Sequence, residues 1–259
     1  MRVRKWPEGS APVGAGQGRL PRWLSFLVAP FVFSLALSVA VTAYAAGHSG
    51  GGANGGSGGA AGAGRATLAQ LMNLAPLQSR RAPGFTLTGQ DGKRVTLASF
   101  RGKAVLLGFY DSRCRQVCPL VAQMIRLAEK DLGPYASRVA FVGVNVNPAA
   151  TSVADVRRFS VVHGLARLPN WYFLTGPAAR LARVWRAYGI GVSLARGAAE
   201  TVHSDYLYFL DPFGTERYLA EPVAGRRNGI GYLPSGTIAL WGRGIAQYLK
   251  LAGSGQASP

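Results

Sequence analysis

The sequence predicts an α/β domain with a mostly parallel central sheet, helices on both faces and hairpins at the edges, preceded by one transmembrane helix. Three observations support this prediction. Residues 23–46 contain no charged side chain. Apolar runs of strand length at 104–110 and 139–146 alternate with segments of helical period, which is typical of βαβ units. Short alternating segments flank Gly-containing turns within 85–97 and 206–219 and indicate hairpins.

The N-terminal part of the chain is predicted to anchor the protein in a membrane. Residues 1–22 are basic, and residues 23–46 can span a hydrocarbon core of about 30 Å as a helix. The basic flank predicts a single-pass protein of the cell membrane, with a cytoplasmic N-terminus and a periplasmic or other extracytoplasmic C-terminal domain. The alternative is a cleaved signal peptide, because Ala43, Tyr44 and Ala45 form an A-x-A pattern. Both alternatives export the rest of the chain to a compartment where disulfides form.

The segment that follows the anchor is expected to be a flexible tether over residues 47–81, because 47–65 are almost entirely glycine, alanine and serine. One short helix is expected within it, at 66–77. The folded domain is predicted over 82–252, with a tail at 253–259. The formal charge of +18 is compatible with an acidic partner or an anionic membrane surface, and equally with a basic composition that is general to the genome. Nucleic acid is not predicted as a partner, because no recognition motif is present and the domain is exported.

The elements of the domain follow from the period of the apolar residues. After the Asp-Gly hairpin, the strand at 104–110 leads through a short turn into a helix expected to begin at or near Cys118, because Pro119 suits the first position of a helix. The remaining predicted elements are, in order, a strand at 139–146, a helix at 152–164 with a capping-box-like start, a strand at 171–174, a helix at 177–189, a loop at 190–201, a strand at 206–210, its hairpin partner at 216–219, and a helix at 237–251.

Two cysteines carry the most specific chemical signal. Cys114 and Cys118 are the only cysteines of the chain, and they lie between a strand and a helix. The positive end of the helix dipole favours thiolate over thiol. Residues four apart on a helical turn have side chains about 5 to 6 Å apart, within reach of a disulfide or of one shared soft metal ion. As a redox pair, one thiolate attacks a partner disulfide and the other resolves the mixed disulfide.

His203 is the third candidate residue. It precedes the strand at 206–210, and the ends of strands that neighbour a central strand come together. Two thiolates and an imidazole suit Cu(I), and the same set with an oxygen ligand suits Cu(II). A zinc site would need a fourth ligand, for which Asp111 and Asp205 are the available side chains.

These motifs resemble the Sco/SenC family of copper chaperones for cytochrome c oxidase assembly. The resemblance rests on Cys-x-x-x-Cys-Pro after a strand, on His-Ser before an aromatic-rich strand, and on the segments APGFTL, DGKRVTL, FRGKAVLLGFY, FLTG and HSDYLYFLDPFG. It covers about residues 82–219. It implies a thioredoxin-like fold in an exported, membrane-anchored protein. It also implies that Cys114, Cys118 and His203 are copper ligands and that the copper is delivered to a cytochrome oxidase subunit.

The chain departs from the family pattern beside the cysteines. The family usually has Cys-Pro-x-x-Cys-Pro with an acidic residue inside, whereas Arg115, Gln116 and Val117 stand between the cysteines here and Arg113 precedes them. An acidic stretch of the family is replaced by residues 147–150. The guanidinium groups are expected to lower the pKa of the thiols and to oppose a bound cation.

Other interpretations of the cysteine pair stay open. If the protein is an enzyme, it is a metal-free, exported thiol-disulfide oxidoreductase that reduces the cysteines of a partner. A purely structural disulfide is disfavoured, because closing so small a loop constrains the unfolded chain little. Peroxidase chemistry is disfavoured, because Asp111 stands where peroxiredoxin-like sites have a threonine.

Overall fold

The computed structural model describes residues 68–194, 201–227 and 230–255. The predicted anchor at 23–46 and most of the predicted tether lie outside these residues. Among the residues described, no helix combines the length and the apolar character that a membrane crossing requires.

An eight-stranded sheet forms the centre of the domain. Its strands lie in the order β1 (Ala75–Arg81), β10 (Thr215–Ala220), β9 (Leu207–Leu210), β4 (Ala104–Tyr110), β5 (Val139–Asn145), β6 (Trp171–Thr175), β2 (Thr86–Gly89) and β3 (Arg94–Thr96). Only β4–β5 and β5–β6 are parallel pairs in this sheet, and the other five are antiparallel. The prediction of a mostly parallel sheet is therefore wrong. Short turns join β2 to β3 and β9 to β10, and short turns connect only antiparallel neighbours.

Helices cover both faces of the sheet, as predicted. They are α1 (Val117–Leu132), α2 (Val153–Val162), α3 (Ala178–Ala187) and α4 (Ser235–Gly253). Leu106 and Leu107 are consecutive on β4 and therefore point to opposite faces, and each belongs to a separate hydrophobic core. The core around Leu106 contains residues of α1, α2 and α4, and the core around Leu107 contains residues of α3. All seven residues of β4 are buried for this reason.

The segment before the predicted domain differs from the expectation. Residues 68–71 form one helical turn, and β1 pairs antiparallel with β10 at the edge of the sheet. Within the described residues, the tether predicted to residue 81 and the helix predicted to residue 77 are therefore wrong. The pairing covers the free edge of β10, and it is reinforced by Arg80, which donates a 2.5 Å hydrogen bond to the buried carboxylate of Glu216.

Two short ribbons replace stretches for which no strand was predicted. Within the predicted loop at 190–201, β7 (Val192–Leu194) pairs with β8 (Thr201–His203). Further along, β11 (Gly225–Arg227) pairs with β12 (Ile230–Tyr232). Strands of three residues show little alternation in the sequence. The dipeptide Asn228-Gly229 between β11 and β12 is nevertheless typical of a hairpin turn, and it was a signal for this ribbon in the sequence.

Candidate functional site

The loop between β4 and α1 holds Cys114. We define the cysteine loop as residues 111–116. The backbone N–H of Cys114 donates to the carbonyl oxygen of Asp111 at 3.1 Å, and the N–H of Gln116 donates to Cys114 Sγ at 3.4 Å. These bonds turn the chain sharply at the end of β4, so that Cys114 stays half-buried and accessible while the chain enters the helix.

Cys118 lies in the first turn of α1. The helix begins at Val117, so Cys118 is its second residue and Pro119 its third. The sequence suggested that Pro119 is the first helical residue, and this is wrong by two positions. Pro119 still lies among the first four residues of the helix, whose N–H groups have no partner within the helix. Both cysteines are present as thiols, and the side chain of Cys118 is packed against the core, with 1% of its surface exposed.

The Cys118 thiol is harder to ionise than an ordinary thiol. Burial is the main cause that raises its pKa. A hydrogen bond with the Cys114 thiol and the negative charges of Cys114 and Asp205 raise the pKa further, whereas a backbone hydrogen bond at Asp111 lowers it. The expectation that neighbouring arginines lower the thiol pKa is therefore wrong for Cys118. One reason is that Arg113 is engaged elsewhere, since its Nη2 lies 3.7 Å from Asp155 Oδ1 at the start of α2.

Asp111 joins three segments at the end of the sheet. Its carboxylate is fully buried. Oδ1 accepts hydrogen bonds from the Arg113 N–H at 2.7 Å and from Asn147 Nδ2 at 2.8 Å, and Oδ2 accepts one from the Thr201 N–H at 2.8 Å. The cysteine loop, the segment after β5 and strand β8 are thereby held to one another. We did not predict this role from the sequence, although a charged residue directly after an entirely apolar strand was a visible signal.

His203 ends β8, where Val192 of β7 is its partner in the ribbon. Its side chain is 4% exposed. Nδ1 lies 3.1 Å from the carbonyl oxygen of Ser204, and because a carbonyl only accepts, Nδ1 carries the proton. In the neutral ring, Nε2 then has the free lone pair that a metal ligand requires.

The structure brings His203 to the buried cysteine. Cys118 Sγ, a ring nitrogen of His203 and a carboxylate oxygen of Asp205 all lie within 4.8 Å of one another. Cys114 is not a member of this group, although its thiol is hydrogen-bonded to the thiol of Cys118. From the sequence, Asp205 was only one of two carboxylates available to a zinc ion. The assignment of Cys114, Cys118 and His203 as copper ligands stays a prediction.

Asp205 is the acidic member of the cluster. The pKa of its carboxyl group is raised, and burial is the main cause. The positive charge of His203 acts to lower this pKa, and the negative charge of Glu221 acts to raise it. Its charge also contributes to the raised pKa of Tyr110, for which burial is the main cause. The site thus combines soft sulfur donors with a nitrogen and an oxygen donor, a set that suits copper in either oxidation state.

The β11–β12 ribbon lies against the cysteine loop. A Cβ atom on Gly231 would lie 2.3 Å from the carbonyl oxygen of Gln116. Glycine is therefore required for the close approach of the two backbones. This contact restricts the loop between the cysteines, and the sequence did not predict it.

Comparison with known proteins gives a consistent result. The family model for SCO1/SenC matches residues 75–226. The SCO1 protein homolog of Bacillus subtilis is 26% identical over 132 residues, which cover 50% of this chain and 68% of that protein. The motif-based resemblance is therefore confirmed.

Two solved structures show the same fold. Bradyrhizobium japonicum ScoI, solved with copper bound, has a TM-score of 0.52 at 22% identity, covering 67% of this chain and 99% of that one. BsSco, in which a disulfide switch was identified, is described as a member of the Sco family of cytochrome c oxidase assembly proteins. It has a TM-score of 0.50 at 22% identity, covering 70% of this chain and 98% of that one. The thioredoxin-like α/β fold implied by the resemblance is confirmed.

Proposed function

This chain belongs to the SCO1/SenC family, and we propose that it binds copper through Cys114, Cys118 and His203 and delivers it to a subunit of cytochrome oxidase. The observation that carries the proposal is the meeting of the Cys118 thiol with the His203 ring, although these residues lie far apart in the sequence. The tautomer that leaves Nε2 unprotonated prepares this histidine for a metal. Copper bound to the related ScoI protein supports the same cargo here.

Copper binding requires deprotonated sulfur. Burial favours the neutral thiol at Cys118, and a bound cation offsets the cost of the buried negative charge. Metal binding therefore releases protons, and affinity rises with pH. The proposed location is the extracytoplasmic side of the cell membrane, with residues 23–46 as the anchor that keeps the domain close to a membrane-embedded oxidase.

A second function, thiol-disulfide exchange, is favoured by the different exposure of the two cysteines. The half-exposed Cys114 is placed to attack a partner disulfide as a thiolate and to form a mixed disulfide, which releases the first partner thiolate. The thiol of Cys118 is hydrogen-bonded to Cys114 in the reduced protein, and as a thiolate it then attacks Cys114 Sγ. The second partner thiolate leaves, so two electrons pass to the partner and a Cys114–Cys118 disulfide remains.

A Cu(I) titration of the full chain against a chromogenic chelator tests the copper proposal. We expect about one Cu(I) per chain, and we expect Cys114→Ser, Cys118→Ser and His203→Ala each to weaken binding at least tenfold. His163→Ala is the matched control, because His163 caps the C-terminal end of α2 and its ring packs against Phe159. Wild-type protein that binds neither Cu(I) nor Cu(II) tightly would overturn the proposal.

The exchange function is tested separately with an oxidised peptide that contains the copper-binding cysteines of an oxidase subunit. Reduced wild-type protein should convert the peptide disulfide to two thiols, and Cys118→Ser should trap the mixed disulfide. A failure to reduce any oxidised partner would remove the exchange function without affecting the copper proposal.

A further inference from the structure

Asp205 is a mostly buried carboxylate with few partners of its own. Its side chain is 27% exposed, and its one contact with a basic side chain among the described residues is with His203 Nδ1 at 3.5 Å. Nothing in the described part of the chain donates a hydrogen bond to this carboxylate. The exposed part of the carboxylate leaves lone pairs that a further partner can use.

We infer that Asp205 is an oxygen ligand of Cu(II) and binds the ion together with Cys114, Cys118 and His203. The inference rests on the proposed copper function and adds a ligand that distinguishes the two oxidation states of the metal. Three donor atoms, a sulfur, a nitrogen and an oxygen, already lie within 4.8 Å of one another.

The chemistry of the donor set assigns Asp205 to Cu(II). Carboxylate oxygen is a hard ligand, and thiolate sulfur selects Cu(I). The two cysteines and His203 therefore satisfy Cu(I) without Asp205. Cu(II) prefers four or more donors that include nitrogen and oxygen, and its larger charge interacts more strongly with a carboxylate. Asp205 thus stabilises the oxidised ion more than the reduced ion.

The competing role for Asp205 is to orient the His203 ring from outside the metal site. In such an arrangement the carboxylate accepts the Nδ1 proton. Here the carbonyl oxygen of Ser204 already holds Nδ1 at 3.1 Å, closer than the 3.5 Å contact with Asp205. The backbone therefore fixes the tautomer and the ring orientation, and the Asp205 carboxylate is available to the metal.

Asp205→Asn in the full chain tests the inference, because it removes the charge and keeps the shape of the side chain. We expect the dissociation constant for Cu(II) to increase at least tenfold and that for Cu(I) to change less than threefold. We also expect the Cu(II) electron paramagnetic resonance spectrum to change its copper hyperfine splitting. Asp205→Glu, which keeps the carboxylate, should restore most of the Cu(II) affinity. Asp91→Asn is the control, since Asp91 lies in an exposed turn and pairs with Lys93.

Two results would overturn the inference. A Cu(II) spectrum and Cu(II) affinity that Asp205→Asn leaves unchanged would exclude Asp205 from the ligand set. An equal loss of affinity for Cu(I) and Cu(II) would assign it the orienting role instead. Failure of the wild-type protein to bind either ion would count against the proposed function itself, so the two failures are distinguishable.

Discussion

The carboxylate of Asp111 accepts a hydrogen bond from the backbone N–H of Thr201 at 2.8 Å. This bond joins the loop that carries Cys114 to the strand that ends at His203. The same carboxylate is bonded to Asn147, so the two parts of the candidate site are fixed relative to each other by one buried acceptor. The distance between the thiols and the imidazole therefore depends on a residue that is not itself in the donor cluster.

Asp111→Asn should destabilise the domain and loosen the site. The amide places an NH2 group opposite at least one existing N–H donor, which leaves a buried donor unsatisfied. We expect a loss of about 1–3 kcal/mol in the free energy of unfolding and weaker Cu(I) binding, because β8 is released. Chemical denaturation followed by tryptophan fluorescence measures the first effect and chelator competition the second. Asp91→Asn, at an exposed site, should stay within about 0.5 kcal/mol of wild type, and equal stability of the two variants would contradict the role of Asp111.

Gly231→Ala should disturb the cysteine loop from the outside. The added Cβ would lie 2.3 Å from the backbone carbonyl oxygen of Gln116, and a backbone atom has no rotamer by which to move away. We expect a destabilisation of about 1–3 kcal/mol, the usual cost of overpacking, and faster modification of Cys114. Gly236→Ala in the first turn of α4 is the matched control, because no atom lies within 4 Å of its added Cβ and alanine favours a helix. A Gly231→Ala protein as stable as the control would show that the ribbon does not press on the loop.

The two cysteines should differ in their reaction with iodoacetamide near neutral pH. Cys114 is half-buried, whereas Cys118 is 1% exposed and burial raises the pKa of its thiol. Since the thiolate is the reactive species, we expect Cys118→Ser, which keeps Cys114, to react at least tenfold faster than Cys114→Ser. Mass spectrometry of timed samples gives the rates. In strong denaturant both variants should react equally, and a faster reaction at Cys118 in the folded protein would contradict the assignment of Cys114 as the attacking thiol.

Asp155 should make the stability depend on acidic pH. Burial acts to raise its pKa, but hydrogen bonds with Ser152 and the charges of Arg113 and Arg158 outweigh burial, so the pKa is lowered on folding. A lowered folded pKa means that the contribution is present above about pH 4, the ordinary carboxyl value, and is lost as pH falls through the folded value. We expect Asp155→Asn to cost about 1 kcal/mol at pH 7, as for a lost helix cap. Unfolding curves at pH 7 and near pH 2 measure this cost, which should nearly vanish at the lower pH; an equal deficit at both would contradict the ionic explanation.

Local patterns predicted the elements next to the site correctly. The apolar run of β4, the amphipathic period of α1 and the capping box of Ser152 with Asp155 all appear in the structure. Each depends on interactions within a few residues of chain, which is why a sequence shows them. The edge strand β1 escaped prediction because β10, its only partner in the sheet, lies far along the chain, and nothing in its own composition indicates that pairing.

The sequence by itself determined that two cysteines lie between a strand and a helix and that His203 precedes a strand. Only the tertiary structure decided that Cys118 is buried with a raised thiol pKa, that Arg113 pairs with Asp155, and that Asp111 and Asp205 belong to the site. The pKa of a group depends on the water and charges around it, and these come from segments remote in sequence. Composition near the cysteines therefore predicted the wrong direction for the Cys118 thiol, while the identity of the donor residues was already present in the chain.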